Sequence, residues 1–362
     1  MRWAGQQIDV DQPGALPGMA SIAGLVRSVT TPEFRGITFH EVLAKSALNK
    51  VPGQSRLPFD WTVNPYRGCS HACRYCFARP SHRYLELDPG ADFDQQIVVK
   101  TNVADVLRRE LARPSWGHEQ VALGTNTDPY QRAEGRYRLM PGIIQALAES
   151  GTPLSVLTKG TLVRRDLELL SSAAEQVPVG LGVSLAFAAD ELRREVDPGA
   201  PSVRARLDVI REIRAAGLPC GVMVAPVLPW LTDSAEHLDA LFGELADAGA
   251  TGATVVILYL RPGTREWFMQ WLGEVHPELV KRYEQLYSRG AYVPESYKRA
   301  FGEKVAPLLR KHGFDQASRH RGDRPHPVRG RYPGLPRTHR HPEPSVQPAV
   351  THPPIPEQEA LF

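Results

Sequence analysis

Three of the four cysteines in this chain lie within eight residues, and this cluster restricts the fold and chemistry more than any other feature. Cys69, Cys73 and Cys76 form the pattern C-x3-C-x2-C, whereas Cys220 lies far away in an apolar segment. Positions i, i+4 and i+7 share one face of a helix, so the three thiols could belong to a helical core. Their neighbours are turn formers or polar residues with no apolar stripe, which argues against a helical core.

Two kinds of metal site are compatible with the cluster. A zinc ion would need a fourth ligand, such as His71 or His82, but structural zinc sites usually pair C-x2-C with a second ligand pair, and the chain has no second cysteine pair. An iron–sulfur cluster is held by thiolates, with four in a full set. Three thiolates would leave one iron of a [4Fe-4S] cube without a protein ligand, and a catalytic metal requires such an open position.

The cysteine spacing, with Tyr75 directly before the third cysteine, resembles the signature of the radical S-adenosylmethionine (SAM) enzymes. The resemblance implies a [4Fe-4S] cluster on Cys69, Cys73 and Cys76, whose open iron binds the amino and carboxylate groups of SAM. It also implies reductive cleavage of SAM to methionine and a 5′-deoxyadenosyl radical, which takes a hydrogen atom from the substrate. The electron would come from an external donor of the flavodoxin or ferredoxin type.

Length and composition set broad limits on the class of protein. The chain has 362 residues, of which 42% are hydrophobic, so it can bury a large core. A net charge of +3 does not by itself indicate a polyanionic partner. No apolar run approaches membrane-spanning length, the first residues lack a signal-peptide pattern, and clustered thiols without a disulfide framework suit a reducing compartment. We therefore expect a cytoplasmic protein that is not embedded in a membrane.

Short apolar segments alternate with helical patterns along the middle of the chain. Strands with both faces covered have this composition, and their alternation with helices predicts parallel βαβ units. The predicted strands are 59–63, 120–125, 153–158, 179–185, 220–228 and 254–260. The predicted helices between them are 142–149, 162–174, 202–216 and 234–248. Six strands fit the fold that the resemblance implies, an α/β partial (β/α)6 TIM-like barrel of the radical SAM type.

The chain divides into four predicted regions. These are an N-terminal arm (1–54), the radical SAM partial barrel (55–265), a C-terminal helical extension (266–318) and a tail (319–362). We predict that residues 1 to about 35 are poorly ordered and that residues 40–47 form a short helix. Further helices are predicted over 103–111, 265–272 and 298–311. The tail is rich in proline, arginine and histidine and cannot bury a core, so it is predicted to be disordered and basic.

Polar residues at the ends of the predicted strands are candidate ligand contacts, because parallel barrels place their sites at the C-terminal ends of strands. Thr125 and Asn126 follow the second strand, Lys159 follows the third, and Ser184 ends the fourth. The lysine could pair with the methionyl carboxylate of SAM. Each has a structural alternative, which is a capped turn, a solvated lysine or a satisfied core hydroxyl.

Motifs in the same segments resemble the spore photoproduct lyase-like branch of the radical SAM enzymes. They are T-D-P-Y-Q-x-x-E (127–134), L-T-K-G (157–160), V-S-L (183–185) followed by D-P-G-A-P-S (197–202), and G-V-M-V-A-P-V-L-P (221–229). The resemblance covers roughly residues 55–265 and implies that Lys159 binds the SAM carboxylate, that Ser184 and the Asn126 loop contact SAM, and that the substrate is damaged DNA.

The chain departs from that branch at one point. The lyase uses a cysteine to return hydrogen to its substrate radical, and the corresponding region of this chain, 124–130, contains none. Tyr75 and Tyr130 are therefore the candidate catalytic residues, unless the reaction itself differs. Cys220 begins a predicted strand, at the end opposite to the site, so we expect it to be a small buried residue.

Two features of the tail bear on partners. Its arginines could hold nucleic-acid phosphates through salt-dependent contacts, or simply keep a disordered tail in solution. The last five residues read Q-E-A-L-F and resemble the Q-x-x-L-F motif that binds the DNA sliding clamp. In that interpretation Leu361 and Phe362 fill an apolar pocket and Gln358 fixes the register, on a flexible tether. A five-residue match also arises readily by chance.

The residues leave three functions open. The first is a radical SAM enzyme that repairs DNA, and the second uses the same cofactors on RNA or a small metabolite. The third is a zinc-stabilised module that binds nucleic acid without catalysis.

Overall fold

The structure is a computed structural model and describes residues 22–52 and 59–314. The predicted tail, including Gln358, Leu361 and Phe362, lies outside the described residues, as does the beginning of the predicted arm. No helix in the described part of the chain has both the length and the apolar character needed to cross a membrane.

Eleven strands and eleven α-helices are found in residues 22–52 and 59–314. The strands are β1 (Leu25–Thr30), β2 (Thr38–Val42), β3 (Leu48–Lys50), β4 (Trp61–Val63), β5 (Tyr66–Arg67), β6 (Gln96–Lys100), β7 (Val121–Leu123), β8 (Leu154–Thr158), β9 (Val179–Ser184), β10 (Cys220–Val227) and β11 (Gly252–Ile257). The helices are α1 (Ala91–Gln95), α2 (Val103–Leu111), α3 (Arg132–Tyr137), α4 (Leu139–Glu149), α5 (Leu167–Ala174), α6 (Asp190–Val196), α7 (Val203–Ala215), α8 (Ala235–Asp247), α9 (Thr264–Val275), α10 (Val280–Leu286) and α11 (Glu295–Lys311). Short 3-10 helices include Arg79–Leu85 and Thr161–Asp166.

The main sheet has the strand order β11-β10-β9-β8-β7-β4-β3. Its six strands from β4 to β11 run parallel, and β3 adds an antiparallel edge to β4. All six predicted barrel strands are present, and every residue of β7 and β9 is buried. Helices α4, α5, α7 and α8 connect successive strands, as parallel pairing requires. The prediction of an α/β partial (β/α)6 barrel is confirmed.

A second sheet with the order β1-β2-β6-β5 lies beside the barrel. Strands β2 and β6 are parallel, whereas β1 and β5 pair antiparallel with their neighbours. The prediction of a helix over residues 40–47 is wrong, because residues up to Val42 form β2. Pairing on both sides buries Phe39 and His40, whereas Leu43, which a helix would have buried, is 54% exposed. The prediction that residues 1 to about 35 are poorly ordered is likewise wrong for Leu25–Thr30, which form β1.

The helices after the barrel are present as predicted, with α9 covering 265–272 and α11 covering 298–311. The ammonium group of Lys311 in α11 lies 2.6 Å from Asp239 in α8, so α11 packs on the outer helix layer. The region boundaries at residues 54, 265 and 318 stay predictions.

The buried carboxylate of Glu134 in α3 joins the two sheets. It accepts hydrogen bonds from the hydroxyl of Tyr66 in β5 at 2.5 Å and from Nη2 of Arg165 at 2.7 Å. It also accepts hydrogen bonds from the backbone N–H groups of Leu139 and Met140 at 3.0 and 3.1 Å. These two residues begin α4, so their N–H groups have no partner within the helix. One side chain therefore fixes β5, α4 and the segment after β8 relative to one another.

We predict that Glu134→Ala lowers the free energy of unfolding by roughly 3–5 kcal/mol, because it leaves a buried phenol, two helix-terminal N–H groups and part of a guanidinium without an acceptor. Chemical denaturation of the purified protein measures this loss. Glu175→Ala, at an exposed glutamate, is the matched control and should change stability by about 0.5 kcal/mol or less. Equal stability of the two variants would contradict the role given to Glu134.

Candidate active site

The three clustered cysteines lie on a loop that follows β4 and β5, at the C-terminal edge of the parallel strands. Cys69 and Cys73 are buried and Cys76 is partly exposed. The fourth, Cys220, is fully buried as the first residue of β10, at the other end of the strands. The expectation that Cys220 is a small buried residue is confirmed.

The start of the cysteine loop passes so close to other backbone that only glycine fits. Gly68 has φ +79°, and a Cβ atom there would lie 2.9 Å from the carbonyl oxygens of Phe93 and Gln96. The backbone N–H of Cys69 donates to the same Phe93 carbonyl at 2.9 Å. The insertion between β5 and β6 therefore fixes the first cysteine.

Two loops at neighbouring strand ends hold the backbone of the cysteine loop. The buried side chain of Gln131, after β7, accepts from the N–H of Ser70 and donates to the carbonyl of Gly68, both at 3.0 Å. Gly199, after α6, donates its N–H to the carbonyl of His71 at 3.0 Å, and a Cβ there would lie only 2.0 Å from the carbonyl oxygen of Ser70. The Gly199 contact depends on close backbone approach, so this position does not tolerate a larger side chain.

The guanidinium of Arg79 has no exposed surface and holds the second half of the loop. Its Nε and Nη2 both donate to the carbonyl of Cys73 at 3.0 Å. Its Nη1 donates to the carbonyl of Gly90 at 2.7 Å, and its Nη2 contacts both oxygens of Asp94 at 2.9 Å. The group also lies 4.9 Å from the ring centre of Trp267 in α9. Arg79 therefore joins the cysteine loop to the segment around α1 and to a C-terminal helix.

Helix α9, which is distant from the cysteines in the sequence, contacts the cysteine loop. The hydroxyl of Thr264, its first residue, donates to the carbonyl of Cys76 at 3.0 Å. The first residue of α9 thus touches the residue that the sequence marks as the third cluster ligand.

A polar group lies next to the cysteines and consists of Tyr75, Lys159, Asp197 and Arg206. The ammonium of Lys159 is 5.5 Å from the ring centre of Tyr75, and Nη2 of Arg206 is 3.7 Å from the carboxylate of Asp197. The Tyr75 hydroxyl, both Asp197 oxygens and Arg206 Nη2 are buried and make no hydrogen bond within the described residues. Buried polar atoms normally have partners, so this pocket fits a polar ligand that supplies them.

Charges around this pocket shift two pKa values. Burial and then the nearby Asp197 raise the pKa of the Tyr75 phenol well above its usual value. Burial alone would lower the pKa of Lys159, but Cys73 and Asp197 outweigh it and raise that pKa. Lys159 therefore carries its positive charge at neutral pH, as a partner for a carboxylate must.

Asp128 positions Lys159 through the backbone. Its carboxylate accepts from the N–H of Lys159 and from the hydroxyl of Thr158, both at 2.6 Å. It also accepts from the N–H of Tyr130 at 2.8 Å and lies 3.4 Å from Nδ1 of His71. The turn after β7 thereby sets the conformation at the end of β8.

The structure brings most of the other predicted site residues to the same edge. The Ser184 hydroxyl donates to the carbonyl of Ala225 at 3.4 Å, and its own carbonyl accepts from Arg206 at 3.0 Å. Thr125 and Asn126 are partly exposed at the end of β7, and Oδ1 of Asn126 is buried with no hydrogen bond in the described part of the chain.

Tyr130 lies apart from this group. It is buried, and the ionisable groups that act on its phenol are Asp166, Glu134 and Arg165 rather than the cysteines. His82, a possible zinc ligand, is also engaged elsewhere, because its Nε2 lies 3.0 Å from the carbonyl of Gln96. Burial lowers the pKa of His82 to about 4. Of the described histidines considered as ligands, only His71 lies in the cysteine loop.

Comparison with known proteins identifies the family. The sequence model of the radical SAM superfamily matches residues 63–241, which include the cysteine loop and β5 to β10. The chain belongs to the radical SAM superfamily.

The chain is also similar to individual proteins and solved structures. An uncharacterized protein of Mycobacterium tuberculosis is 66% identical over 316 residues, covering 86% of this chain and 93% of the relative. A radical SAM Nalpha-GlyT isomerase of Pseudomonas phage M6 is 25% identical over 237 residues, covering 62% of this chain and 45% of the relative. The solved structure of a spore photoproduct lyase mutant with bound AdoMet and dinucleoside spore photoproduct matches with a TM-score of 0.57 at 16% identity, covering 77% of this chain and 79% of that one. This last match concerns the fold.

Radical SAM enzymes use a [4Fe-4S] cluster and SAM, and the residues present fit both. Cys69, Cys73 and Cys76 supply three thiols on one loop, and burial raises the pKa of each, so cluster binding has to displace their protons. Within residues 22–52 and 59–314, no three metal-binding side chains converge on a single ion. A cube does not need such convergence, because each thiolate binds a different iron.

Sequence reasoning missed three residues that build the site. Arg206 had a readable signal, because an arginine between Val203 and Ile210 stands on the buried face of α7. Asp197 was noted only as part of the D-P-G-A-P-S motif, because the sequence does not show that its carboxylate lies near Tyr75 and Arg206. Arg79 follows the cysteines without any periodicity that would mark it as buried.

We predict that the anaerobically purified protein holds about four irons and four sulfides per chain, as a [4Fe-4S] cluster requires. Single changes of Cys69, Cys73 or Cys76 to Ala remove a ligand and should abolish this content, whereas Cys220→Ala is the matched control and should retain it. Iron and sulfide analysis with absorption spectroscopy measures the result. One zinc per chain instead of iron would contradict the cluster assignment.

Proposed function

We propose that this protein is a radical SAM enzyme that acts on a damaged base in DNA, in the cytoplasm. The observation that carries the proposal is the fold shared with spore photoproduct lyase over 77% of the chain, since that lyase is seen with AdoMet and dinucleoside spore photoproduct bound. The motif resemblance at residues 127–134, 157–160 and 221–229 supports the same substrate class.

The polar pocket supplies the groups that SAM needs. When bound, SAM is the source of the 5′-deoxyadenosyl radical that takes a hydrogen atom from the substrate. Lys159 pairs with the SAM carboxylate. Asp197 accepts hydrogen bonds from the SAM amino group, because it is the only buried carboxylate among the described residues whose two oxygens make no hydrogen bond. Ser184, Thr125 and Asn126 complete the contacts along the strand ends.

Tyr75 is the proposed hydrogen donor to the substrate radical. Its hydroxyl is buried without a hydrogen bond in the described part of the chain, next to the cluster ligands and to Asp197. Donation breaks the phenol O–H bond, forms a C–H bond on the substrate and leaves a tyrosyl radical, which regains a hydrogen atom from 5′-deoxyadenosine. Tyr130 is the second candidate, but its phenol is surrounded by Asp166, Glu134 and Arg165.

We predict that Tyr75→Phe retains reductive SAM cleavage but loses product formation, because the ring still fills its place while the transferable hydrogen is gone. The measurement is the ratio of product to 5′-deoxyadenosine by mass spectrometry, with dinucleoside spore photoproduct and ultraviolet-irradiated oligonucleotides as substrates. Tyr130→Phe is the comparison variant and should keep the wild-type ratio.

Two outcomes would overturn parts of this proposal. Loss of product in Tyr130→Phe with an unchanged Tyr75→Phe would move the donor role to Tyr130. Release of 5′-deoxyadenosine by the wild type without any change in either DNA substrate would contradict the proposed action on DNA. It would favour RNA or a small metabolite as the substrate.

As a radical SAM enzyme, the protein needs a reductant. We propose that an external flavodoxin or ferredoxin supplies the electron. We also propose, from the sequence of the tail alone, that Gln358, Leu361 and Phe362 bind the DNA sliding clamp.

We predict that the full-length protein binds purified bacterial sliding clamp and that deletion of residues 358–362 abolishes binding, because the apolar anchors are lost. Glu359→Ala is the matched control, since this position is variable in the Q-x-x-L-F motif. Surface plasmon resonance measures both. Equal binding by the deletion variant would refute clamp docking without affecting the radical chemistry.

A further inference from the structure

A pair of neighbouring aromatic rings, one exposed and one partly buried, lies beyond the C-terminal end of β11. Tyr259 and Tyr292, here called the tyrosine pair, have ring centres 4.6 Å apart and ring planes inclined by 33°. Tyr292 is 64% exposed, which makes it the most exposed of the large hydrophobic side chains in residues 22–52 and 59–314. The partly buried Tyr259 supports the ring of Tyr292, which leaves an aromatic surface that a planar ligand could stack on.

The backbone under the tyrosine pair is held on both sides of Tyr259. The N–H of Leu260 donates to the carbonyl of Ala291 at 2.9 Å. The hydroxyl of Tyr287, which is fully buried, donates to the carbonyl of Leu258 at 2.8 Å. The two chain segments that carry the rings are thus joined to each other, and the pair is a fixed surface rather than a loose loop tip.

One cation lies against the exposed ring of the pair, and the segment that carries this ring is rich in lysine and arginine. The ammonium of Lys298 lies 5.4 Å from the ring centre of Tyr292, and the guanidinium of Arg282 lies 4.4 Å from that of Trp230, which follows β10. Residues 281–299, here called the rim segment, contain five lysines and arginines and two glutamates. The rim segment therefore carries an excess of three positive charges, equal to the net charge of the whole chain.

The tyrosine pair lies close to the cluster loop. Tyr259 precedes Thr264 by five residues, and the Thr264 hydroxyl contacts the carbonyl of Cys76 at 3.0 Å. Five residues span at most about 17 Å. That distance corresponds to about five nucleotide steps along one strand at 3.4 Å per step. A strand with one nucleotide at the site can therefore reach the pair with another.

We propose that Tyr292, supported by Tyr259, stacks an unpaired base of the DNA strand that enters the active site, while Lys298 and the other cations of the rim segment hold its phosphates. Exposed aromatic rings beside positive charge are the usual means of binding single-stranded nucleic acid. In duplex DNA the bases are already stacked and paired, so the platform selects single-stranded or locally opened DNA. This inference rests on the proposed action on DNA and narrows the substrate to an unpaired strand.

Fluorescence anisotropy with a labelled single-stranded oligothymidylate and the full-length protein tests the platform. Tyr292→Leu removes one stacking ring and should weaken binding roughly 5- to 150-fold, the range expected for one base–aromatic stack. Tyr292→Phe keeps the ring and should bind like the wild type. Lys298→Gln should reduce the slope of affinity against salt concentration by about one ion. Affinity for blunt duplex DNA should be the same in the wild type and the two Tyr292 variants, because only base stacking differs between them. Reductive SAM cleavage should be the same in all four proteins.

The platform is refuted if Tyr292→Leu binds the oligothymidylate as tightly as the wild type, or if Tyr292→Phe is as weak as Tyr292→Leu. Absence of binding by the wild type also refutes it. Failure of the proposed function looks different. In that case the wild type and variants follow the expected binding order, but the wild type converts no DNA substrate.

Discussion

The buried guanidinium of Arg79 is the contact on which the geometry of the site depends. The cysteine loop is mostly polar and rich in turns, and only a few of its side chains, such as those of Cys73 and Tyr75, pack into the barrel core. Arg79 compensates for this by joining the carbonyl of Cys73 to Asp94 and to the aromatic face of Trp267. A planar group with five donors can bind more acceptors at once, in a fixed geometry, than the three-donor ammonium of a lysine. The loop is therefore rigid even though every residue in it is irregular.

Hydrogen bonds to the backbone also hold the rest of the site in place. Gln131 and Gly199 hold the loop from two other strand ends, and Asp128 sets the backbone of Lys159. Each of these residues acts on backbone atoms rather than on the ligand. The barrel thus contributes fixed strand ends. Short polar contacts join the segments after β4, β7, β8 and β9 into one surface. Glu134 has the corresponding role one layer away, between the barrel and the second sheet.

The sequence predicted the barrel because its strands are continuous apolar runs, such as β9, which cannot be exposed on either face. It predicted Lys159 and Ser184 because strand ends meet at one edge. It failed at β2, whose burial comes from parallel pairing with β6, more than fifty residues away. It also could not show that Asp197 faces Tyr75, or that the phenol of Tyr130 faces Asp166, since side-chain direction in a loop depends on contacts that are distant in the chain.

The contact between Thr264 and Cys76 has a consequence during protein synthesis. The two residues are 188 positions apart. A ribosome that adds 5–20 residues per second needs roughly 10–40 s to make the intervening chain. Throughout that interval the cysteine loop has neither α9 nor Trp267 over it. The three thiols are therefore synthesised well before the helix that covers them, and the order of translation leaves the cysteine loop uncovered on this side for that interval.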